Sequence, residues 1–207
     1  VLLQLGRMVP RKGVETVIRG VARYVRRSGQ RVRLLVVGGE SPAPDPFLTP
    51  EIGRLAEVAR EEGIEGMVRF EGQRQRPQLA LYYSAADIFL STPWYEPFGI
   101  TPVEAVACGV PVLGRRVGGL KYTVVEGVTG LLVPPRDPQA VATALERMLG
   151  DPALLARMSA AALERSRQFS WQSVTDSLER HLHEARLLAT QRAATEAAPG
   201  ARSPVVT

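Results

Sequence analysis

The sequence predicts an α/β fold built on a doubly wound parallel sheet. Short apolar runs alternate with amphipathic helical stretches along most of the chain. The runs are near-continuously apolar, as strands covered on both faces are, and do not alternate with polar residues. Glycine, proline and charge gather in the loops that follow the runs, where such sheets bind ligands.

VLLQL opens the chain as a strand, and Val14, Val17, Ile18, Val21, Ala22 and Val25 then recur at helical spacing. RVRLLVVGG reads as a buried strand ending in Gly-Gly, and SPAPDPFLTP as a proline-rich loop. Residues 50–62 form a helix with Ile52, Leu55, Ala56 and Ala59 on one side. MVRFEG is a short strand, and PQLALYYSAA a helix opened by Pro77. DIFLSTP is the next strand, TPVEAVACG the next helix, and VPVLGRR and TGLLVPP the last two strands. Asp137-Pro138 and Asp151-Pro152 are N-cap and N1 pairs for two successive helices, and Ser170 caps a final helix to about residue 189. About six strands in this order make a Rossmann-like domain over residues 1–169, followed by the helix 170–189. Residues 190–207 turn to Ala, Thr, Gly, Pro and Ser and read as a disordered tail.

No run of apolar residues is long enough to span a membrane. The opening VLLQLGRMV is too short for a signal peptide, and with no starting Met the chain is expected to be a piece of a longer protein. One cysteine, Cys108, excludes an internal disulfide and fits a cytoplasmic setting; in VEAVACGVPVL it reads as a structural thiol. His181 and His183 are expected to face solvent, and nothing has metal-ligand spacing. The net charge of +5 is spread along the chain without aromatic interleaving, so no nucleic-acid partner is expected. It fits an anionic small ligand or an acidic membrane surface. Only Lys12 and Lys121 are lysines, and both lie in glycine-rich loops, where a compact ammonium suits a crowded phosphate.

Two loops carry the chemistry. GRMVPRKG, residues 6–13, surrounds a helix start with Arg7, Arg11 and Lys12, as either a phosphate cradle or a solvated basic loop; it lacks the P-loop ending. In STPWYEPFGITPVEAVACG, Glu96 precedes a helix, and Thr101, Pro102 and Glu104 read as its N-cap, N1 and N3. Taken singly, Glu96 is a loop carboxylate and Glu104 the closing member of a capping box. Taken together, they flank the free N–H groups of Phe98, Gly99, Ile100 and Thr101. Two carboxylates that accept from hydroxyls, with an anion-favouring helix start between them, suit a nucleotide sugar.

EPFGITPVEA, with seven residues between Glu96 and Glu104, resembles the E-x7-E motif of retaining glycosyltransferases of family four, which have the GT-B fold. The likeness reaches to about residue 189 and includes GRMVPRKG, VVGG, VRFEG, YYSAADIFLSTP, ACGVPVLGRRVGG and TGLLVPP. It implies that Glu96 binds hydroxyls of the donor sugar and Glu104 the ribose, while Phe98, Gly99, Ile100 and Thr101 face sugar and phosphates. Arg7 and Lys12 would neutralise the departing diphosphate, and the base would lie against the backbone near Phe70, Glu71 and Gly72. Lys121 receives no role. The resemblance further implies retention by a front-face mechanism, no metal and no cofactor. The acceptor would be held by an N-terminal domain that this chain lacks, leaving the chain alone inactive. UDP is the favoured donor nucleotide, a hexose the sugar, and sucrose-phosphate-type or inositol-type acceptors fit. The final helix is expected to pack towards that other domain, and the full-length protein to touch a membrane peripherally if at all. The rival readings are a binding module without turnover and a GT-B phosphorylase, whose pyridoxal-dependent form would have only Lys121 for a Schiff base.

Overall fold

A computed structural model describes residues 1–197. The strands are β1 (Leu2–Leu5), β2 (Leu34–Val37), β3 (Val68–Gly72), β4 (Ile88–Ser91), β5 (Val112–Arg115) and β6 (Gly130–Val133). The helices are α1 (Val14–Ser28), α2 (Pro50–Glu61), α3 (Arg76–Ser84), α4 (Ile100–Ala107), the single turn α5 (Leu120–Thr123), α6 (Pro138–Leu149), α7 (Pro152–Ser166) and α8 (Trp171–Ala197). All six strands are parallel, in the order β3-β2-β1-β4-β5-β6.

That order follows from the doubly wound rule. The chain runs outward from β1 through β2 and β3, then returns to the other side of β1 for β4. Loops leaving β1 and β4 therefore diverge and open a crevice at the carboxyl edge. Strand residues alternate between two cores. Leu2, Leu34, Val36, Ile88 and Leu90 pack with α1, α2 and α6, while Leu3, Val37, Phe89 and Val112 pack with Tyr83 of α3, Ala105 of α4 and Ala162 of α7. The continuous apolar runs are thus buried on both sides.

The caps at Asp137 and Asp151 accept from the N–H groups of Ala140 and Leu154, at 3.0 and 2.9 Å. Ser170 accepts from Ser173 at 3.1 Å, as its hydroxyl type at a helix start requires. Ala56 is exposed and Val58 takes its place on the buried stripe of α2, because the stripe turns with the 3.6-residue period.

The chain divides into two compact units, Val1–Ser166 and a second starting at Arg167, slightly ahead of the expected break at 170. In the second unit α8 runs to Ala197, so residues 190–197, expected in the tail, are helical; the alanines there favour helix. The remainder of the expected tail lies outside the described residues. His181 and His183 are exposed, and Cys108 is half-buried. Among the described residues no helix is long and apolar enough to cross a membrane.

Candidate functional site

The loops after β1 and β4 meet at the crevice. Residues Pro10–Lys12 form a 3-10 turn that ends on Gly13, which has φ +70° and starts α1. Thr92, just beyond β4, donates its hydroxyl to the Gly13 carbonyl at 2.8 Å, and the Trp94 N–H donates to the Arg11 carbonyl at 2.7 Å. A side chain at residue 13 would place its Cβ 1.9 Å from the Thr92 carbonyl oxygen, so only glycine lets the loops approach so closely.

This stitching brings Lys12 and Glu96 together. Lys12 Nζ lies 2.6 Å from Glu96 Oε2, with side chains only 19% and 14% exposed. A pair so withdrawn from water is held by its partners on both sides, and removing either leaves a poorly solvated charge. Arg7 and Arg11 are exposed and make no ion pair among the described residues. Arg7 lines a neighbouring cleft instead of joining Glu96.

Helix α4 begins earlier than the Thr-Pro sequence implies. Gly99 is its N-cap at φ +96°, placing Ile100 first, Thr101 second, Pro102 third and Glu104 fifth, and no side chain caps the end. The capping-box reading of Glu104 is therefore corrected. The left-handed glycine turns the chain into the helix early, and Pro102 is tolerated because first-turn N–H groups have no intrahelical partner. The N–H groups of Ile100 and Thr101 are left facing the crevice end of the helix. Glu104 instead accepts the Tyr83 hydroxyl from α3 at 2.8 Å on Oε2. Burial, reinforced by the Glu104 carboxylate, pushes the Tyr83 phenol well above its usual range, so it stays a proton donor.

The segment from Glu96 to Gly99 is pinned from below by Gly118-Gly119. The Gly119 N–H donates to the Glu96 carbonyl at 2.8 Å, and a Cβ there would fall 2.3 Å from the Phe98 carbonyl oxygen. Phe98 is half-exposed at the rim. Lys121, one residue into α5, is exposed without a partner among the described residues.

A second cleft of about 180 Å³ opens beside β1 and β2, lined by Leu5, Gly6, Arg7, Gly38, Arg74 and Leu79 among others. Nearby, half-buried Phe70 packs its ring against the core, and the Gly72 carbonyl accepts from Gly38 at 2.8 Å. Glu71 is buried, with Arg69, Arg74 and the Tyr82 hydroxyl on its carboxylate at 2.5, 2.8 and 3.0 Å.

Residues 1–165 match the family model of glycosyl transferases group 1. The chain belongs to the group 1 glycosyl transferases. A D-inositol 3-phosphate glycosyltransferase of Corynebacterium efficiens is 38% identical over 199 residues, 96% of this chain and 46% of that protein. Sucrose-phosphate synthase from Thermosynechococcus elongatus has a TM-score of 0.76 at 38% identity, over 89% of this chain and 45% of its own. HepE of Anabaena, solved with UDP, has a TM-score of 0.75 at 26% identity, covering 88% and 48%. This group 1 chain is thus one Rossmann-like half of a GT-B fold, and it spans less than half the length of the curated relatives it matches.

Sequence reasoning missed three supports of this candidate site. Thr92 and Gly119 hold the loops, and Tyr83 orients Glu104. Only the Gly-Gly pair after a strand end offered a local signal.

Proposed function

We propose that the chain is the donor half of a retaining glycosyltransferase, which moves a hexose from a nucleoside diphosphate, UDP first, to an acceptor hydroxyl. The Lys12–Glu96 pair at the point where strand order reverses carries this reading. Lys12 holds Glu96 so that its second oxygen accepts from sugar hydroxyls. Lys12 and Arg7 face the diphosphate together with the first N–H groups of α4, beside Phe98, Gly99, Ile100 and Thr101. Glu104 Oε1 has no partner among the described residues and accepts from ribose hydroxyls, while the base lies beside the backbone of Phe70 and Gly72.

In the transfer, the acceptor oxygen bonds to the anomeric carbon as the bond from that carbon to the phosphate oxygen breaks. The hydroxyl proton passes to the departing phosphate on the same face, so configuration is retained. Lys12 and Arg7 stabilise the charge that develops, without a metal. A second domain brings the acceptor; the length of the relatives supports this, and the UDP complex of HepE supports trying UDP first.

Calorimetry of the chain with UDP, GDP and ADP tests the reading. UDP is expected to bind, and Lys12→Ala to weaken it by about tenfold or more, the usual effect of a lost charge-assisted hydrogen bond. Absence of binding by all three nucleotides at millimolar concentration overturns the assignment.

A further inference from the structure

Beside the start of α1 a hollow of about 370 Å³ opens between Gly13, Glu15, Thr16, Trp94, Arg136 and Pro138. Three arginines from separate segments meet Trp94 or its neighbour Pro93, Arg136 and Arg115 through their guanidinium groups and Arg11 through its backbone carbonyl. The Arg11 carbonyl accepts the Trp94 N–H at 2.7 Å, and the Arg136 guanidinium lies over the indole, 4.7 Å from its centre. Arg115, at the end of β5, donates to the Pro93 carbonyl at 2.9 Å, and its Nε is buried without a partner.

None of these three pairs with a carboxylate among the described residues. Arg19 and Arg54 on the same wall differ, being neutralised by Glu15, Glu62 and Glu51. Burial, and then the charge of Arg136, lowers the Arg115 pKa. Arg136 is also the one non-glycine residue in the left-handed region among those described, at φ 52°. A conformation of that kind persists where the surroundings hold it and is frequent at binding sites. A guanidinium stacked on an indole keeps its N–H edges free for a planar, bidentate partner.

We propose that this hollow is a second anion site, centred on Arg136 and not on Lys12, for a phosphate monoester. Arg136 binds the phosphate, Arg115 adds positive field, and Trp94 is a positioning residue that holds Arg136. The phosphate arrives on a sugar phosphate or as the free inorganic ion.

The test uses the 207-residue chain with Trp171→Phe, which leaves Trp94 as its one tryptophan. Inorganic phosphate and glucose 6-phosphate are titrated against its fluorescence, and UDP against the same protein by calorimetry. A saturable response to either phosphate is expected, weakened at least about tenfold in Arg136→Gln, while UDP affinity is unchanged. Arg136→Gly, whose backbone suits φ 52° without strain, should fold as well and lose the response equally. Lys12→Ala should lose UDP and keep the phosphate response, so failure of the donor reading shows in a different arm. Tighter binding of glucose 6-phosphate identifies an organic phosphate as the ligand; equal binding identifies the free ion. No saturable response to either phosphate, or one equally strong in Arg136→Gln and Arg136→Gly, overturns the proposal.

Discussion

At Gly13 the absence of one methyl group decides whether two loops can meet. Alanine there would have to accept φ +70° and push the Thr92 carbonyl away from 1.9 Å. Gly13→Ala is expected to destabilise the chain by about 2 kcal/mol or more, read from the urea midpoint, and to weaken UDP binding as Lys12 and Glu96 part. Tyr83 offers a second test at this scale. Tyr83→Phe removes the donor to Glu104 and is expected to cost about 1–2 kcal/mol of stability. Because the folded phenol keeps its proton, its contribution is present below about pH 10, where the unfolded chain also stays protonated. It is lost as pH rises above that value and the unfolded tyrosine ionises. Alkaline unfolding curves should therefore fall more steeply for the wild type than for Tyr83→Phe; parallel curves would remove the buried-phenol account. Glu104 shows why residue roles were only partly legible. Its type and spacing were plain, but the local pattern suits a capping box equally well, and only the helix start at Gly99 and the Tyr83 hydroxyl of α3 removed that reading.

Among the elements, α4 and the turn α5 shape the proposed donor site. Gly118-Gly119 packs against the backbone of Glu96 and Phe98, so the segment from Glu96 to Glu104 is shaped by the loop after β5 as well as by its own residues. Gly119→Ala should displace the Phe98 backbone and Gly99 and reduce UDP affinity by about tenfold, read by calorimetry. Equal affinity in the variant would show that the loop adapts freely. Strands and helix starts were well marked: Asp137, Asp151 and Ser170 all cap the helices they precede. The start of α4 and the short α5 were not. A left-handed glycine N-cap leaves no side-chain signature, and one helical turn is too short to show periodicity.

For the whole molecule, every candidate donor residue lies within Val1–Ser166, and the second unit contributes none. A chain ending at Ser166 is therefore expected to bind UDP within about twofold of the 207-residue chain by calorimetry. A larger loss would give the second unit a part in the site. The sequence by itself determined the parallel two-faced sheet, the candidate loops after its strands and the family, because burial on both faces and glycine-rich turns are local patterns. The order of strands, the meeting of Lys12 with Glu96 across 84 residues and the hold of Tyr83 on Glu104 were decided by tertiary structure alone. Strand order depends on which strands pair and how crossovers wind, and no local period records either; the doubly wound rule and the packing of the two cores supply them.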